Sequence, residues 1–552
     1  MGRLTHAFLA ALLTAAVIAT VTAAGGDAPL VKAINSGDAQ AVRALIKSGS
    51  DVKARSGDGS SPLLWAAHTS NLEIARALVA AKATVDAAND FGVTPLLEAS
   101  RNGDAPMVDL LLRAGADPKR SHPEGETPLL SAARAGSVPV VKLLLARGAD
   151  VNHAEQFQHT TALMWAAAEG HLAVVDLLLE SGADPNLKGH ITALTERHNA
   201  DHPSGGFTAL MFAARNGNDA MVRKLAARGA NLNLKNGDDA SAAMVAIYND
   251  RFDVAATLIE LGSDVKDGSL YTAVEMRDAT TDQFAFDGSR RRPDNPNTKT
   301  ALDLMKMLLE RGADPNERFQ GQFHSTHMPN TDRFDNTPFF RAAVAADVEA
   351  LKLMMAHGAK LDQTPPIEKE PERAPGDITV GGRRANPNAG RTPAMVAMTG
   401  GRRPAMTGGP AYIRDGAAPF REAGSRKPEE AFALLLTAGA NPNAKGPDGN
   451  TLLHQAARTR NLEMIKTLAA AKVDFSQKNS DGFTALDVAE GKQPPSGAGA
   501  RAGGPPPGGR RGGSGVTQQD VAKLLRELMG LPPAPPAASP EKDATPEKDA
   551  AQ

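Results

Sequence analysis

A four-residue phrase recurs along this chain: Thr94-Pro95-Leu96-Leu97, Thr127-Pro128-Leu129-Leu130, Thr161-Ala162-Leu163-Met164 and Thr208-Ala209-Leu210-Met211. A second phrase follows each of them, as Gly115-Ala116-Asp117, Gly148-Ala149-Asp150, Gly182-Ala183-Asp184 and Gly229-Ala230-Asn231. The unit is therefore roughly 33 residues long, and self-similarity at such a period means stacked supersecondary units rather than separate globular domains. Each unit touches only its neighbours, so the length of 552 residues does not translate into a domain count.

Within one unit the phrases read as local physics. The Thr supplies a side-chain oxygen to cap a first helix, and the Pro after it occupies the first helical position, where its missing N–H costs nothing. Leu96, Leu129, Leu163 and Leu210 then point into the stack. Ala99, Ala132, Ala166 and Ala213 follow three residues later, which keeps one small-residue face against the second helix. Gly103, Gly136, Gly170 and Gly217 end the first helix. The second helix carries a dense apolar block, such as Val108, Leu110, Leu111 and Leu112, and the next Gly closes it. Lys82 and Lys472 stand where that closing Gly is expected, at a cost of ~1 kcal/mol each if the left-handed conformation is kept. Trp65 and Trp165, just after the conserved apolar pair, are expected to pack as core between helices.

Thr-Pro-Leu, the Ala that follows, a helix-ending Gly, an apolar second helix and Gly-Ala-Asp together resemble the ankyrin repeat family. The resemblance implies an all-α repeat solenoid of about 11 to 12 units, each a helix-turn-helix plus a hairpin loop. One departure is consistent: the His that the family usually places after Thr-Pro-Leu survives only at His454, with Leu64, Leu97, Leu130, Met164, Met211, Met244, Phe340 and Met395 elsewhere. Apolar packing is expected to replace the lost polar contact.

The phrases also divide the chain. Residues 27–56 form a degenerate capping repeat, and 57–268 regular repeats with an insertion at 190–205. Residues 269–365 carry repeats stretched by insertions at 280–298 and 319–335, before a disordered linker at 366–390. One repeat over 391–446 is split by a Gly/Arg/Pro-rich insertion at 399–427, and regular spacing returns over 447–490. A disordered stretch at 491–515, a closing helix at 516–530 and a disordered tail at 531–552 complete the reading. Loop closure costs rise slowly with length, so such insertions leave the stack intact.

Arg3, the apolar run Ala7 to Ala19 and the small residues Val21, Ala23 and Ala24 fit a secretory signal peptide over residues 1–23. The expectation is an exported bacterial protein, periplasmic or secreted, with no stable membrane insertion after cleavage. With no cysteine there are no disulfides and no thiolate chemistry. A formal net charge of -2 gives no global pull toward nucleic acid or an anionic membrane.

Candidate chemistry is sparse. His190, His198 and His202 share one insertion, so imidazoles could converge on a metal there, but their spacing matches no compact ligand motif. No P-loop, Rossmann or nucleophile-elbow pattern occurs, and neither a cofactor nor catalysis is expected. The Gly/Arg segments around Arg291, Arg383, Arg402 and Arg510 lack aromatics for base stacking, so no nucleic-acid partner is expected.

The family resemblance implies instead a non-catalytic scaffold that binds a partner protein along a concave surface of hairpin tips and first helices. In this chain those positions are Phe91, Glu124 and Phe157 at the tips, with Arg101, Asn102, Arg134, Glu169, Arg215, Asn216 and Tyr248 on the helices. Arg101, Arg134 and Arg215 recur at one repeat position and are expected to form a basic ladder. The partner's identity is open, the scaffold is expected to be monomeric, and two alternatives stand beside it: an effector acting on a host protein, and an enzyme or metal site in the inserted loops.

Overall fold

The computed structural model describes residues 29–192, 204–278, 297–319, 336–367, 388–398, 427–492 and 516–533. These fall into two compact units, one ending at residue 319 and the other beginning at residue 336. Both are built from consecutive antiparallel helix pairs, as in Pro95–Arg101 with Ala105–Arg113 and Leu452–Thr459 with Leu462–Ala470. The expected all-α repeat solenoid is what the chain forms. The one strand pair among the described residues is Ile191–Thr192 with Ser204–Gly205. It lets the insertion between residues 190 and 205 leave and rejoin the stack at one hairpin.

The recurring phrase acts at the first-helix start. Thr94, Thr127, Thr161 and Thr208 each accept a hydrogen bond through Oγ1 from the backbone N–H three residues on, at 3.2 to 3.3 Å. Ser61 and Ser241 do the same where Thr is replaced. Such a cap satisfies an N–H that the helix leaves unpaired and is worth about 1 kcal/mol. The Leu and Ala positions behind it are closed to solvent, from Leu96 and Ala99 to Leu210 and Ala213. Each fully buried Leu contributes roughly 1.5–3 kcal/mol, so the stack derives its stability from the contacts between neighbours.

The second helices are less buried than their apolar blocks suggest. Leu111 and Leu112 are inside, whereas Leu110, Leu143 and Leu177 are only half-buried, because they lie on the flank of a helix whose far side is open. In the first unit the first helices pack on one another more closely than the second helices do, which makes the first row the inner side of the stack. Lys82 (φ 64°) and Lys472 (φ 59°) do adopt the left-handed conformation normally given to Gly.

The Gly-Ala-Asp phrase has a role beyond turning the chain. The side chain two residues after its Asp or Asn, or the equivalent acid, accepts a hydrogen bond from the same loop of the next unit. Asp117 N–H donates to Asp86, Asp184 N–H to Asn152, Asn231 N–H to Asn186 and Asp264 N–H to Asn233. The second unit repeats the device with Asn441 on Asp362 and Asp474 on Asn443. Side-chain fasteners thus run loop to loop beneath the second helices.

Phe319, at the start of the expected 319–335 insertion, is buried. Its ring stacks on Tyr271 with centroids 4.8 Å apart and planes 14° from parallel. A Cβ on Gly268 would lie 2.4 Å from that ring, so the turn before Ser269–Asp278 has room for glycine alone. At the far end, His454 keeps the family's polar contact: its ring bonds Thr451 at 2.8 Å and the Phe483 carbonyl of the next hairpin at 2.9 Å.

Candidate protein interface

The hairpins project beyond the inner row and are tied in series. Asp90 N–H donates to Asp58 O at 3.1 Å, Gln156 N–H to Glu124 O at 3.0 Å, His190 N–H to Gln158 O at 2.7 Å and Gly237 N–H to Gly205 O at 2.8 Å. The rung between the second and third of these hairpins falls at Pro123, which has no N–H to give to Phe91. Phe91 and Phe157 stand at the tips with 55% and 57% of their surface exposed. Glu124 is exposed between them, its N–H donating to His122 Nδ1 at 3.2 Å.

Along the first helices of three successive repeats, the seventh residue after the cap (His68, Arg101 and Arg134) reaches toward the next repeat, at the hairpin or at the fourth residue after its cap. His68 Nδ1 meets Glu98 at 2.8 Å. Arg101 pairs with Glu126 of the next hairpin, which also accepts from Ser131 Oγ at 2.7 Å, and it stands 3.9 Å from Glu98. Burial alone would weaken the Arg101 cation, but the Glu126 and Glu98 carboxylates outweigh it and hold its pKa above the ordinary value. Glu126 shows the complement: burial works to raise its carboxyl, and Arg101 with Ser131 brings it below the usual range.

One repeat later the surroundings change. Arg134 places its guanidinium 4.7 Å from the centre of the Trp165 ring. Trp165 is thus half-buried and serves as a platform; it is not the core residue its position suggests. Trp65 is also half-buried, with Nε1 donating to Ser56 Oγ at 3.2 Å. The following repeat has Ala168 at the arginine position, beside the exposed Glu169. Arg215 then lies against two rings, 5.7 Å from Phe207 and 5.1 Å from Phe212. Burial pushes the Arg215 guanidinium below its ordinary pKa, with only the nearby Tyr248 phenol acting the other way. Burial, then the Asp238 carboxylate, push the Tyr248 phenol well above its usual value, so it keeps its proton.

The expected basic ladder is therefore not uniform. Arg101 is neutralised by carboxylates, whereas no carboxylate among the described residues lies within ion-pair distance of Arg134 or Arg215. The difference comes from what the neighbouring repeat supplies: Glu126 against Arg101, Trp165 against Arg134. Asn102 and Asn216 turn out to be fasteners. Asn102 Nδ2 donates to the Ala67 and His68 carbonyls at 3.2 and 3.3 Å, and Asn216 Nδ2 to the Ala168 carbonyl at 2.7 Å, each satisfying the end of the preceding first helix. Their recurrence directly after the arginine position was the available signal.

Of the proposed metal ligands, His190 sits in the hairpin with its ring edge-on to His159, centroids 5.3 Å apart. His198 and His202 lie outside the described residues, as do Arg291, Arg383, Arg402 and Arg510. No cluster of three potential metal ligands occurs among the described residues. No helix there is long and apolar enough to cross a membrane.

The second unit offers one concavity of the same origin, a cavity of about 170 Å³ lined by Arg391, Met395, Asp448, Gln455 and Arg458. Arg458 is the seventh residue after its cap, the position of Arg101, Arg134 and Arg215.

A family model for ankyrin repeats in three copies matches residues 30–122, 96–189, 190–268 and 421–494, more than half of the chain. Over 49 residues, 9% of the chain, the sequence is 43% identical to the Notch-regulated ankyrin repeat-containing proteins of Xenopus tropicalis and Homo sapiens. It is 41% identical to Notch-regulated ankyrin repeat-containing protein A of Danio rerio, also over 49 residues. The chain spans 43 to 44% of the length of these relatives. Among solved structures it is similar to the human ASB11 ankyrin repeat domain, 26% identical, covering 43% of this chain and 99% of that one with a TM-score of 0.37. The ankyrin repeat domain of Bcl-3 is 27% identical, with 43% and 100% covered and a TM-score of 0.35.

Proposed function

The chain belongs to the ankyrin repeat family, whose repeats mediate protein–protein interaction, and from that premise we propose that it is an exported, non-catalytic scaffold. It binds one partner protein through the hairpin tips and inner helices of its first unit. The observation that carries this reading is the pair of exposed rings Phe91 and Phe157, presented on hairpins of the same face as the half-buried cations Arg134 and Arg215. Large exposed aromatics beside arginine are the side chains that dominate interface energies, and a preformed surface spares the partner's binding energy the cost of ordering it. Export is supported by the sequence alone, through Arg3, the apolar run Ala7 to Ala19 and the small residues at Ala23 and Ala24.

The test is in-cell crosslinking followed by identification of the attached protein, then capture of that purified protein by Phe91→Ala/Phe157→Ala. Capture should weaken at least about tenfold, the effect expected of two interface anchors, with helical content unchanged. Undiminished capture by the double variant would remove the reading.

A further inference from the structure

The inner face of the first unit contains two cations whose surroundings differ from those of Arg101 in the same row. Arg134 lies over Trp165, and Arg215 lies against Phe207 and Phe212 with Tyr248 beside it. Both guanidinium groups are half-buried, and neither has a carboxylate partner among the described residues. The contrast with Arg101, one repeat earlier and already paired with Glu126, is internal to the same face.

We infer that this stretch, from Arg134 to Tyr248, is the docking surface for an extended acidic segment of the partner protein, with one carboxylate on Arg134 and a second on Arg215. The inference rests on the scaffold reading and names the chemistry of what is bound.

Charge complementarity carries it. An aromatic ring holds a guanidinium flat and partly desolvated while leaving its N–H edge free, which is the arrangement that favours a forked contact with a carboxylate. Removing water on one side makes an incoming negative charge count for more than it does at an open surface.

The spacing of the two cations constrains the segment. One repeat lies between them, carrying Ala168 and the exposed Glu169 where an arginine would otherwise be. With neighbouring helices about 9 Å apart, two repeat steps are roughly 18 Å, or about five to six residues of extended chain. The segment therefore has acidic residues separated by five or six positions, with small or basic residues facing Glu169.

The chain carries two tryptophans, so Trp65→Phe leaves Trp165, beneath Arg134, as the sole indole reporter. In that background the full chain is titrated with a glutamate oligomer of about twelve residues, long enough to reach both cations, and with a lysine oligomer of equal length. The expected result is saturable binding of the glutamate oligomer only, weakening as salt is raised. Arg134→Ala and Arg215→Ala should each weaken binding about fivefold or more, and Arg134→Lys and Arg215→Lys should fall between, since lysine keeps charge and loses the planar fork.

Arg113→Ala, on the outer row and paired with Asp109, removes the same charge from the molecule and should change affinity less than about twofold. Unchanged affinity in the Arg134→Ala/Arg215→Ala double variant, equal binding of the lysine oligomer, no binding of either, or an equal loss in Arg113→Ala would each overturn the inference. If it falls while the crosslinked partner still requires Phe91 and Phe157, the scaffold reading stands without the acidic chemistry. If that partner is insensitive to both tips, the scaffold reading itself falls.

Discussion

The Arg134 guanidinium lies 4.7 Å from the centre of the Trp165 ring, across the junction between two consecutive repeats. Arg101, at the equivalent position one repeat earlier, crosses its junction to Glu126 instead. The same repeat position thus supports two kinds of contact, one closed by a carboxylate and one laid on an aromatic ring with no carboxylate beside it among the described residues.

The two contacts should differ in what they contribute to stability. Arg101→Ala leaves Glu126 partly buried without its cation, and a cost of about 1–3 kcal/mol is expected. Arg134→Ala loses a cation–π contact worth about 0.5–1 kcal/mol. Both tryptophans lie in the first unit, so chemical denaturation followed by tryptophan emission reads that unit directly. A larger loss in Arg134→Ala than in Arg101→Ala would contradict this.

The Arg101 variant should also respond to pH with the opposite sign from the parent. In the parent, Glu126 titrates below its ordinary value, so its stabilisation is present above that value and is lost as pH falls through the depressed native pKa. Without Arg101, burial acts with the main opposing charge gone and the native pKa rises, so acidification relieves the variant. The penalty of Arg101→Ala measured at about pH 4 should be clearly smaller than at about pH 7. Equal penalties at both would mean that Glu126 does not depend on Arg101.

Left-handed lysines offer a stability gain. Lys82 and Lys472 have φ of 64° and 59° with a Cβ present. Lys82→Gly and Lys472→Gly should each stabilise by about 0.5–1 kcal/mol, the relief of strain less the extra freedom of the unfolded chain. Gly92→Ala should do the reverse. Gly92 has φ 85°, and a Cβ there would lie 2.3 Å from Pro123 Cδ, at the very hairpin that presents Phe91. Melting temperatures of the three variants check both signs.

The end of the second unit is closed by acid-sensitive contacts. Burial tends to raise the Asp487 carboxyl, but Thr484, through its hydroxyl and backbone N–H, and Lys492 bring it to about 2. Its contribution is present above the ordinary value of 3.8 and lost as pH falls through about 2. Asp487→Ala should therefore cost about 1 kcal/mol at neutral pH through loss of the cap, with the difference from the parent closing as pH approaches about 2. A difference that persists unchanged in acid would show that the carboxylate charge is not what stabilises this end.

Much of this architecture is legible in the sequence because its causes are local. Thr94 caps three residues ahead, Leu96 faces the stack, and Lys82 reveals a left-handed site by standing where Gly belongs. The exposure of Phe91 and Phe157 follows from the same register. What the sequence does not disclose is set across repeats. Whether the residue opposite an arginine is Glu126 or Trp165 depends on which side chains the stacking brings face to face, and nothing in Arg101, Arg134 or Arg215 itself distinguishes them. Asn152 and Asn186 are similar: they look like turn residues, and only the neighbouring loop shows that they receive its N–H. Trp165 misleads for the same reason, since its position favours core in a single repeat and a platform once Arg134 is laid over it.

The most direct measurement of the central claim is a photocrosslinking scan of the full chain in its native cell. A photoreactive residue is placed in turn at Phe91, Phe157 and Glu169 on the tips and inner row, and at Arg113 and Lys142 on the exposed side of the second helices. A protein-binding inner face predicts one common adduct at the first three positions and none at the last two. An adduct confined to Arg113 and Lys142, or none at Phe91 and Phe157, would contradict the account.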